Sequence, residues 1–281
     1  MHTPVLLQEA VDALRVKKGG LYIDATFGEG GHTQEILNRG GKVLGIDLDE
    51  KQIFTFQFSV FNEEEKSRLR LVQGNFKDIE KIAKENGFYP VEGVLIDLGL
   101  SMAQINQSGR GFSYHQLDEP LDMRLDQNQE ETAAFYVNSL SEEELYEIFS
   151  KYSEELNSRA VAQSIVSARR LKKIKTVVDL ITVIDRTLKT DREQTYRRIF
   201  QALRIKVNNE FENLKQTLSS SCTLLNQEGR IVIISFHSLE DRIIKNFIKE
   251  KQLYQVNKKV IFGNQSLRFE RSAKLRIISK N

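Results

Sequence analysis

The clearest chemistry in this sequence lies in a glycine-rich segment and in an acidic residue that follows it. Residues 24–32 read DATFGEGGH directly after the apolar run 21–23, and a second apolar run, 43–46, ends at Asp47. A glycine-rich turn between a strand and a helix lets the backbone approach a bound molecule, and an acidic residue about 20 positions later can accept hydrogen bonds from ribose hydroxyls. Such a loop alone is also compatible with a plain tight connection. Together with Asp47 it predicts a site for a cofactor that contains adenosine.

The spacing and the charge of this loop discriminate between adenosine cofactors. Its glycines are Gly28, Gly30 and Gly31, which is not the GxGxxG spacing that seats the pyrophosphate of NAD on a helix N-terminus. Asp24 would repel a pyrophosphate, but its carboxylate could accept hydrogen bonds from the amino group of a methionine moiety. The loop therefore favours S-adenosylmethionine, and a nicotinamide-dependent dehydrogenase is the disfavoured alternative.

The hydrophobic pattern predicts the elements that position these residues. Short apolar runs alternate with helical patterns from residue 21 to residue 98, which is typical of parallel βαβ units. The predicted strands are residues 21–25, 42–47, 70–73 and 93–98, with helices at 31–38, 50–61 and 77–86 between them. Helical patterns then follow at 157–171 and 177–188 and after the N-cap Ser141, and a helix at 208–226 precedes a fifth strand at 230–235.

This order of elements predicts the fold class and the division into domains. We expect an α/β fold in which a Rossmann-like sheet is interrupted by an inserted all-helical domain. Residues 1–104 and 208–281 are assigned to the sheet domain, and residues 105–207 to the inserted domain. Two more candidate strands lie at 259–262 and 275–278, and Ser238 with Asp241 is interpreted as the capping box of the last helix.

Composition limits the class of protein. The chain has 281 residues, 40% of them hydrophobic, which is enough for one large domain or two smaller ones. Its single cysteine, Cys222, can form neither an internal disulfide nor a cysteine metal site, so we expect a reducing compartment, the cytoplasm, and no metal. No apolar run is long enough for a membrane span or a signal peptide. We therefore expect no membrane association.

Positive charge is concentrated in two segments. Residues 159–206 carry 13 Lys or Arg against 4 Asp or Glu, and residues 242–281 carry 11 against 2. Each segment is thus +9, although the whole chain is only +2, so the remainder carries −16. Concentrated positive charge predicts a polyanionic partner such as nucleic acid. The alternative is that these are ordinary solvated helix faces.

Several polar or aromatic residues directly follow predicted strands. Ligands of open α/β sheets bind beyond the carboxyl ends of the strands, where the strand order reverses. Phe76 could stack there on an adenine, with a core position as the alternative. Asp97 ends an apolar strand and is expected to contact the ligand, because Gly99 lets the chain turn sharply. His237 lies in the turn after the fifth strand, where helix capping is the alternative to catalysis.

The loop at residues 109–126 has the composition of a surface for an unstacked base. Stacking rings and guanidinium groups suit a base and its phosphate, and an ordinary surface loop is the alternative. The residues concerned are Arg110, Phe112, Tyr114, His115, Asp122 and Arg124.

At this point the sequence resembles a known family. The strings are HTPVLL at residues 2–7, DATFGEGGH, GIDLDE at 45–50, LIDLGLS at 95–101, RGFSY at 110–114, PLDMRLD at 120–126, FQALRIKVNNE at 200–210 and IISFHSLEDRIIK at 233–245. They resemble the bacterial RsmH (MraW) family from the second residue nearly to the last. PLDMR and SFHSLEDR are long and unusual, which makes the resemblance specific.

The resemblance implies an enzyme, its cofactor and its substrate. The family consists of S-adenosylmethionine-dependent methyltransferases that modify N(4) of a cytidine in the decoding region of 16S rRNA, within the small ribosomal subunit. It implies a class I methyltransferase sheet with an inserted helical domain. The cofactor contacts that it carries over to matching positions are Gly30, Gly31, His32, Asp47, Phe76, Asp97 and Gln104; His32 and Gln104 come from the resemblance alone.

The sequence departs from the family pattern in a few places. Met102 and Ala103 replace a serine and a proline of the family's DLGVSSPQ, which affects the loop that carries Gln104. YSEE at 152–155 replaces YGEE, and the segment after the last long helix is short. The RNA-facing surface is therefore expected to be smaller than in the family.

The expected reaction is direct methyl transfer to a cytosine turned out of its stack. A group that accepts an N–H of the amino group would localise its lone pair, and Asp122 is the first candidate for this role and His237 the second. Methylation at carbon five would need a cysteine near the base, and Cys222 is predicted in a helix away from the strand ends. The alternative from another class is a non-catalytic RNA-binding assembly factor. Whether the protein is a monomer or a homodimer, and whether naked RNA or an assembled subunit is the substrate, stays open.

Overall fold

The protein consists of two compact units. The computed structural model describes residues 4–54, 61–189, 192–257, 259–267 and 270–279. One unit, here the sheet unit, comprises Met1–Leu100 and Phe211–Asn281, and the other, the helical unit, comprises Ser101–Glu210. The boundaries expected from the sequence, after residues 104 and 207, differ from these by a few residues, and the assignment of functional domains stays a prediction.

The sheet has the strand order β3-β2-β1-β4-β5-β8, with β6 and β7 both paired to β8. β1 to β5 are parallel, and β8 is antiparallel to β5. The strands are β1 (Leu21–Asp24), β2 (Lys42–Asp47), β3 (Leu69–Gln73), β4 (Val91–Asp97), β5 (Leu225–Ser235), β6 (Tyr254–Gln255), β7 (Ile261–Phe262) and β8 (Lys274–Ser279). This topology confirms the Rossmann-like α/β fold that the apolar runs predict.

The helices cover the sheet and form the second unit. In chain order they are α1 (Leu7–Leu14), α2 (Gly31–Asn38), α3 (Glu50–Phe54), α4 (Glu63–Ser67), α5 (Ile79–Glu85), α6 (Met102–Gln107), α7 (Ala133–Ser139), α8 (Glu142–Ser153), α9 (Ser158–Leu171), α10 (Val177–Thr187), α11 (Arg192–Asn208), α12 (Glu210–Leu224) and α13 (Ser238–Glu250). Of the helix predicted at 50–61, residues 55–60 lie outside the described residues, as do residues 2 and 3 of the opening motif.

Both faces of the sheet are buried, as a parallel sheet requires. On one face, α1 and α2 pack against strand residues such as Tyr22 and Val43. On the other face, α5, α12 and α13 pack against residues such as Ile23 and Leu44. Successive strand residues thus point to opposite cores, which explains the continuous apolar runs in the sequence. The sheet is fixed from both sides, and its strand ends can hold side chains in place.

The last helix begins one residue earlier than its sequence suggests. The capping box expected at Ser238 and Asp241 is wrong, because His237 is the N-cap and Glu240 completes the box. Asp241 is free for another partner: Arg276 of β8 donates from Nε to Asp241 Oδ1 at 2.6 Å, and both residues are buried. Burial opposes ionisation and is the largest single effect, but the bond and the charge of Arg276, together with the charges of Lys274 and Lys245, outweigh it and lower the pKa of Asp241. This ion pair joins α13 to the antiparallel strand.

In the helical unit, α9 and α10 lie close to their predicted positions, and α8 begins after the predicted N-cap. Ser141 and Glu144 form the predicted capping box of α8. The bounds of α11 were not predicted, because its apolar residues are interspersed with arginines and a lysine. Thus the amphipathic helices of this unit are predictable from their periodicity, and the highly charged one is not.

Candidate cofactor site

Three aspartates end three neighbouring strands of the parallel sheet. Asp47, Asp24 and Asp97 are the last residues of β2, β1 and β4, which are adjacent in that order. Because parallel strands end at the same edge, the three residues share one edge of the sheet. The strand order reverses between β1 and β4, which is where ligands bind in open α/β sheets. The predicted site therefore lies at this edge.

The glycine loop meets the end of β2 through Asp47. The Gly28 N–H donates to Asp47 Oδ2 at 2.8 Å, and the Asp49 N–H donates to Asp47 Oδ1 at 2.9 Å. Gly28 and Gly30 have φ angles of +53° and +74°, a left-handed conformation that costs glycine little. Backbone donors thus fix the orientation of the Asp47 carboxylate, whose further lone pairs can accept from the hydroxyl groups of a ligand.

Gly31, the first residue of α2, needs to be glycine for a different structural reason. A Cβ added at Gly31 would lie 2.1 Å from Cγ of Pro4, whereas one added at Gly28 would meet only the Thr26 carbonyl oxygen at 3.9 Å. The lack of a side chain at Gly31 therefore makes room for the N-terminal segment of the chain itself. Contact between the Gly31 backbone and a cofactor stays a prediction.

Asp24 lies beneath the glycine loop rather than at its surface. The residue is only 1% exposed. The Thr33 hydroxyl donates to Asp24 Oδ2 at 2.7 Å, and the Thr26 N–H donates to Oδ1 at 3.3 Å. The expectation that Asp24 directly receives the amino group of a ligand is wrong, because the protein encloses its carboxylate. Asp24 can act on a ligand only through its charge and through the loop that it holds.

Burial raises the pKa of all three aspartates. Removal from water disfavours the charged form, and it raises the pKa of Asp24 to about 6 and that of Asp47 and Asp97 to about 7. The negative charge of Asp24 adds to the rise at both of its neighbours. A cation brought to this edge would favour the ionised carboxylates and be attracted by them. The arrangement therefore suits a positively charged ligand.

His32 and Asp97 place two hydrogen-bond acceptors side by side. The Nε2 atom of His32 lies 3.1 Å from the Val5 carbonyl oxygen, and since a carbonyl only accepts, we assign the proton to Nε2. Nδ1 is then an acceptor, 4.0 Å from Asp97 Oδ2. Burial lowers the pKa of His32 to about 4, so the ring is neutral. An ammonium or hydroxyl group between these two atoms could donate to both.

Two threonines that the sequence analysis did not single out complete this arrangement. The Asp97 N–H donates to the Thr26 hydroxyl oxygen at 2.7 Å, and Thr33 holds Asp24. Both lie within or next to the glycine-rich motif, and their position there is the only signal that could have found them. The hydrogen-bond partner of each threonine hydroxyl is set by the folded loop, and it cannot be read from the spacing of residues in the sequence.

Phe76 and Gln104, two other expected contacts, have structural roles of their own. Phe76 opens a short 3-10 turn after β3 and is half-buried against the core, which agrees with the alternative of a core position. Gln104 belongs to the helical unit, where its Oε1 accepts from the Ser101 N–H at 2.9 Å and closes the capping box of α6. Their contact with a cofactor stays a prediction.

His237 caps α13 and is closely paired with Glu240. The Glu240 N–H donates to His237 Nδ1 at 3.4 Å, and His237 Nε2 lies 2.9 Å from Glu240 Oε1, off the line of a hydrogen bond. Glu240 Oε2 in turn accepts from the Phe236 N–H at 2.8 Å. The capping alternative is therefore present in the structure. Because both ring nitrogens face Glu240, a role as proton acceptor would require the ring to turn.

Asp122, in the helical unit, is held by three hydrogen bonds from Arg124. The Nε and Nη2 atoms of Arg124 donate to Asp122 Oδ1 and Oδ2 at 2.7 and 2.8 Å, and the Arg124 N–H donates to Oδ1 at 3.1 Å. Met123 between them is fully buried with φ +64°, a strained conformation for a residue with a side chain. Asn208 stabilises the turn, since its Nδ2 donates to the Met123 carbonyl at 2.8 Å and its Oδ1 accepts from the Leu125 N–H at 2.8 Å.

Two residues expected to face RNA are instead part of this turn. Arg110 is 5% exposed, its guanidinium donates to the Arg124 carbonyl at 2.9 Å, and it lies over the buried ring of Phe112. The interpretation of Arg110 and Phe112 as a stacking surface is wrong, because burial removes them from any partner. His115 is exposed and Tyr114 half-buried, with ring centroids 4.2 Å apart, so these two rings stay available.

Within the described residues, no cluster of His, Cys, Asp and Glu has the grouping that a metal ion needs. Over the same parts of the chain, every helix is too short or too polar to cross a membrane.

We expect the free energy of unfolding of the ligand-free protein to fall as the pH rises from about 4 to about 7. The raised pKa values mean that the folded state binds more protons than the unfolded state in this range, so stability is greatest at low pH and decreases as the carboxyls ionise. Asp24→Asn should remove part of this fall, on the order of 3 kcal/mol for a shift of about two pKa units. Urea unfolding at several pH values measures it.

The control for this experiment is Asp78→Asn, which changes an exposed carboxylate and should keep the wild-type pH dependence. An Asp24→Asn protein whose stability falls with pH as steeply as that of wild type would contradict the assignment.

Comparison with known proteins agrees with the motifs. The chain matches the MraW methylase family over residues 1–281. Ribosomal RNA small subunit methyltransferase H of Thermomicrobium roseum is 44% identical over 255 residues, which cover 89% of this chain and 77% of that protein. The protein of the same name from Dictyoglomus thermophilum is 40% identical and covers 99% and 96%, and that from Nitrosomonas eutropha is 38% identical and covers 100% and 89%.

These matches extend over the whole chain, including the glycine loop, the three strand ends and the helical unit. The family expected from the sequence motifs is confirmed, and with it the expected cofactor, S-adenosylmethionine, whose positive charge suits the acidic edge of the sheet. This chain belongs to the MraW methylase family and is a methyltransferase.

Proposed function

We propose that the protein methylates N(4) of a cytidine in the decoding region of 16S rRNA, within the small ribosomal subunit. Two kinds of finding support the proposal. Relatives that are 38–44% identical are named ribosomal RNA small subunit methyltransferase H, and the sequence motifs resemble those of cytosine-N(4) methyltransferases. The observation that supports its cofactor is the acidic edge formed by Asp24, Asp47 and Asp97, whose raised pKa values favour a cationic ligand.

The residues at this edge would hold the cofactor. S-adenosylmethionine, when bound, supplies an electrophilic methyl group on a positively charged sulfur. Asp47, oriented by two backbone N–H groups, would accept hydrogen bonds from the ribose. The acceptors of His32 and Asp97 would bind the amino group, and Gly30 and Gly31 would allow close approach of the α2 N-terminus. Phe76 offers the exposed part of its ring to the adenine, and Gln104 completes the expected set.

Asp122 is the candidate for positioning the target amino group. An acceptor for one N–H would localise the nitrogen lone pair, and it would stabilise positive charge that develops on that nitrogen. Three bonds from Arg124, two to Oδ1 and one to Oδ2, fix the carboxylate of Asp122 and leave a further lone pair on Oδ2. This arrangement suits a fixed acceptor. His237 is the second candidate, and it would have to leave Glu240 to take the proton.

The proposal has consequences for partners and location. The substrate, ribosomal RNA, places the protein in the cytoplasm with no need of a membrane, and either a monomer or a homodimer is compatible with it. The alternative, a non-catalytic RNA-binding assembly factor, would use the same basic segments. It differs in that S-adenosylmethionine would leave its unfolding temperature unchanged.

The direct test is transfer of labelled methyl from S-adenosylmethionine to small ribosomal subunits that lack this modification. We expect the label in N(4)-methylcytidine after digestion of the RNA to nucleosides. Label in another nucleoside would contradict the proposed target atom and keep the methyltransferase. Binding of subunits without any transfer would favour the assembly factor.

The acidic edge should distinguish S-adenosylmethionine from its product, S-adenosylhomocysteine, which has the same ammonium and carboxylate groups but lacks the positive charge on sulfur and is neutral overall. Asp24 is enclosed by protein, so Asp24→Asn should weaken binding of the cation about tenfold through lost attraction and affect the neutral product much less. Calorimetric titration of both compounds measures this ratio. The control is Glu85→Gln, which removes an exposed carboxylate at the last residue of α5 and should leave the ratio unchanged. Equal weakening of both compounds by Asp24→Asn would contradict a role of the charge.

Asp122→Asn should lower kcat by about 100-fold, with little change in the Kd for S-adenosylmethionine, because it removes a negative acceptor at the target amino group. Single-turnover methylation at saturating subunit concentration measures the effect. The matched control is Asp126→Asn, four residues further in the same loop, which should keep wild-type turnover. Unchanged turnover in Asp122→Asn would remove this residue from the reaction.

A further inference from the structure

A short basic segment joins α9 to α10 in the helical unit. Residues 169–175 read RRLKKIK, five cations in seven residues, and are called the basic loop here. Arg170, Lys172, Lys173 and Lys175 are exposed. Asp179 contacts Lys172 at 2.8 Å and also accepts from the N–H of Lys175 and of Thr176, so it compensates only part of this charge.

The charge of the basic loop exceeds what the end of α9 requires. Cations in the last turn of a helix stabilise its negative end, and Arg169 and Arg170 lie in that turn. Arg169 donates to the Val137 carbonyl at 2.8 Å. Lys173 and Lys175 lie beyond the helix, where its dipole does not account for them. A stability role thus explains the first two cations and not the last two.

The backbone of the basic loop is fixed by hydrogen bonds. The Nδ2 atom of Asn138 donates to the Ile174 carbonyl at 2.6 Å, and its Oδ1 accepts from the Ile174 N–H at 3.1 Å. The side chain of Ile174 is buried at 2% exposure. The lysines on either side of Ile174 are therefore presented from a rigid backbone, which reduces the entropy lost when they bind a partner.

The basic loop is also attached to the segment that carries Asp122. The Leu121 N–H donates to the Lys175 carbonyl at 2.9 Å, and Pro120 pairs with Thr176 as an isolated β-bridge. Asp122 is the next residue along the chain. A strand bound by the basic loop would thus lie close to the residue proposed to position the target amino group.

Leu171 adds an apolar side chain to this positive surface. It is 92% exposed and lies between Arg170 and Lys172. An exposed leucine among cations suits a partner that has both negative charge and apolar faces. RNA has both, since unstacked bases and sugars alternate with phosphates.

We propose that the basic loop binds the sugar-phosphate backbone of the substrate RNA next to the target nucleotide, with Leu171 packed against a base or ribose. This inference rests on the proposed function and adds to it the surface that holds the strand. Lys173 and Lys175 contact phosphates, Arg170 and Lys172 extend the positive surface, and the attachment to Leu121 sets the distance to Asp122.

The test is the salt dependence of RNA binding, measured by fluorescence anisotropy with a labelled single-stranded RNA that spans the target cytidine. For Lys173→Gln/Lys175→Gln we expect about tenfold weaker binding at moderate salt. The slope of log K against log salt should be smaller by roughly 1.4, since each phosphate contact to a single strand contributes about 0.7. Leu171→Ser should weaken binding and leave the slope unchanged.

The matched control is Lys81→Gln/Lys151→Gln, which neutralises two exposed lysines elsewhere and should keep the wild-type slope. Binding of S-adenosylhomocysteine by each variant verifies that it is folded. A basic-loop variant with the control's slope, or wild-type protein whose RNA binding does not depend on salt, would overturn this proposal. If either result is found and the wild-type protein still methylates cytidine, the proposed function stands and only the basic-loop proposal fails. If the wild-type protein binds RNA through the basic loop but transfers no methyl group, the basic-loop proposal stands and the proposed function fails.

Discussion

The enclosure of Asp24 at the end of β1 is the interaction on which the cofactor edge depends. Its two hydrogen-bonded threonines, Thr26 and Thr33, connect the strand to the glycine loop and to α2, and Thr26 also accepts the N–H of Asp97 from β4. A single carboxylate thus fixes the relation between loop, helix and neighbouring strand. Its negative charge cannot be dispersed into water, and it therefore raises the energy of the ionised forms of Asp47 and Asp97. In the proposed function, this unfavourable charge attracts the cationic cofactor.

The helical unit has a comparable fixed point in the turn around Met123. Met123, a buried residue with a positive φ, is held there by Asn208. The guanidinium of Arg110 donates to the carbonyl of Arg124, the residue after Met123. These contacts orient the carboxylate of Asp122 and its arginine partner. Buried polar side chains in both units thus serve one purpose: they hold a nearby charged group in one geometry before any partner arrives.

Much of the sheet unit follows from its sequence because parallel strands are buried on both faces. Their apolar runs are continuous, and the acidic residues Asp47 and Asp97 stand out where those runs end. The burial of Asp24 was not predictable, since nothing in the spacing shows that the Thr33 hydroxyl would donate to its carboxylate. Arg110 and Phe112 show the same limit: residue type suggested a surface for RNA, but exposure depends on long-range packing. The register of the α13 cap was missed because histidine is an uncommon N-cap and Ser238 a common one.

The contact between Pro4 and Gly31 has a consequence for how this protein can vary. The ring of Pro4 occupies the space that any side chain at position 31 would need, and the carbonyl of the adjoining Val5 fixes the tautomer of the adjoining His32. The two segments therefore cannot drift independently during evolution. A homologue with alanine at position 31 needs a smaller residue, or a shifted chain, at position 4, and that shift would release the histidine ring. Positions 4 and 31 should thus covary. The neighbouring pair, Val5 and His32, is likewise in contact although its members lie 27 positions apart in the chain.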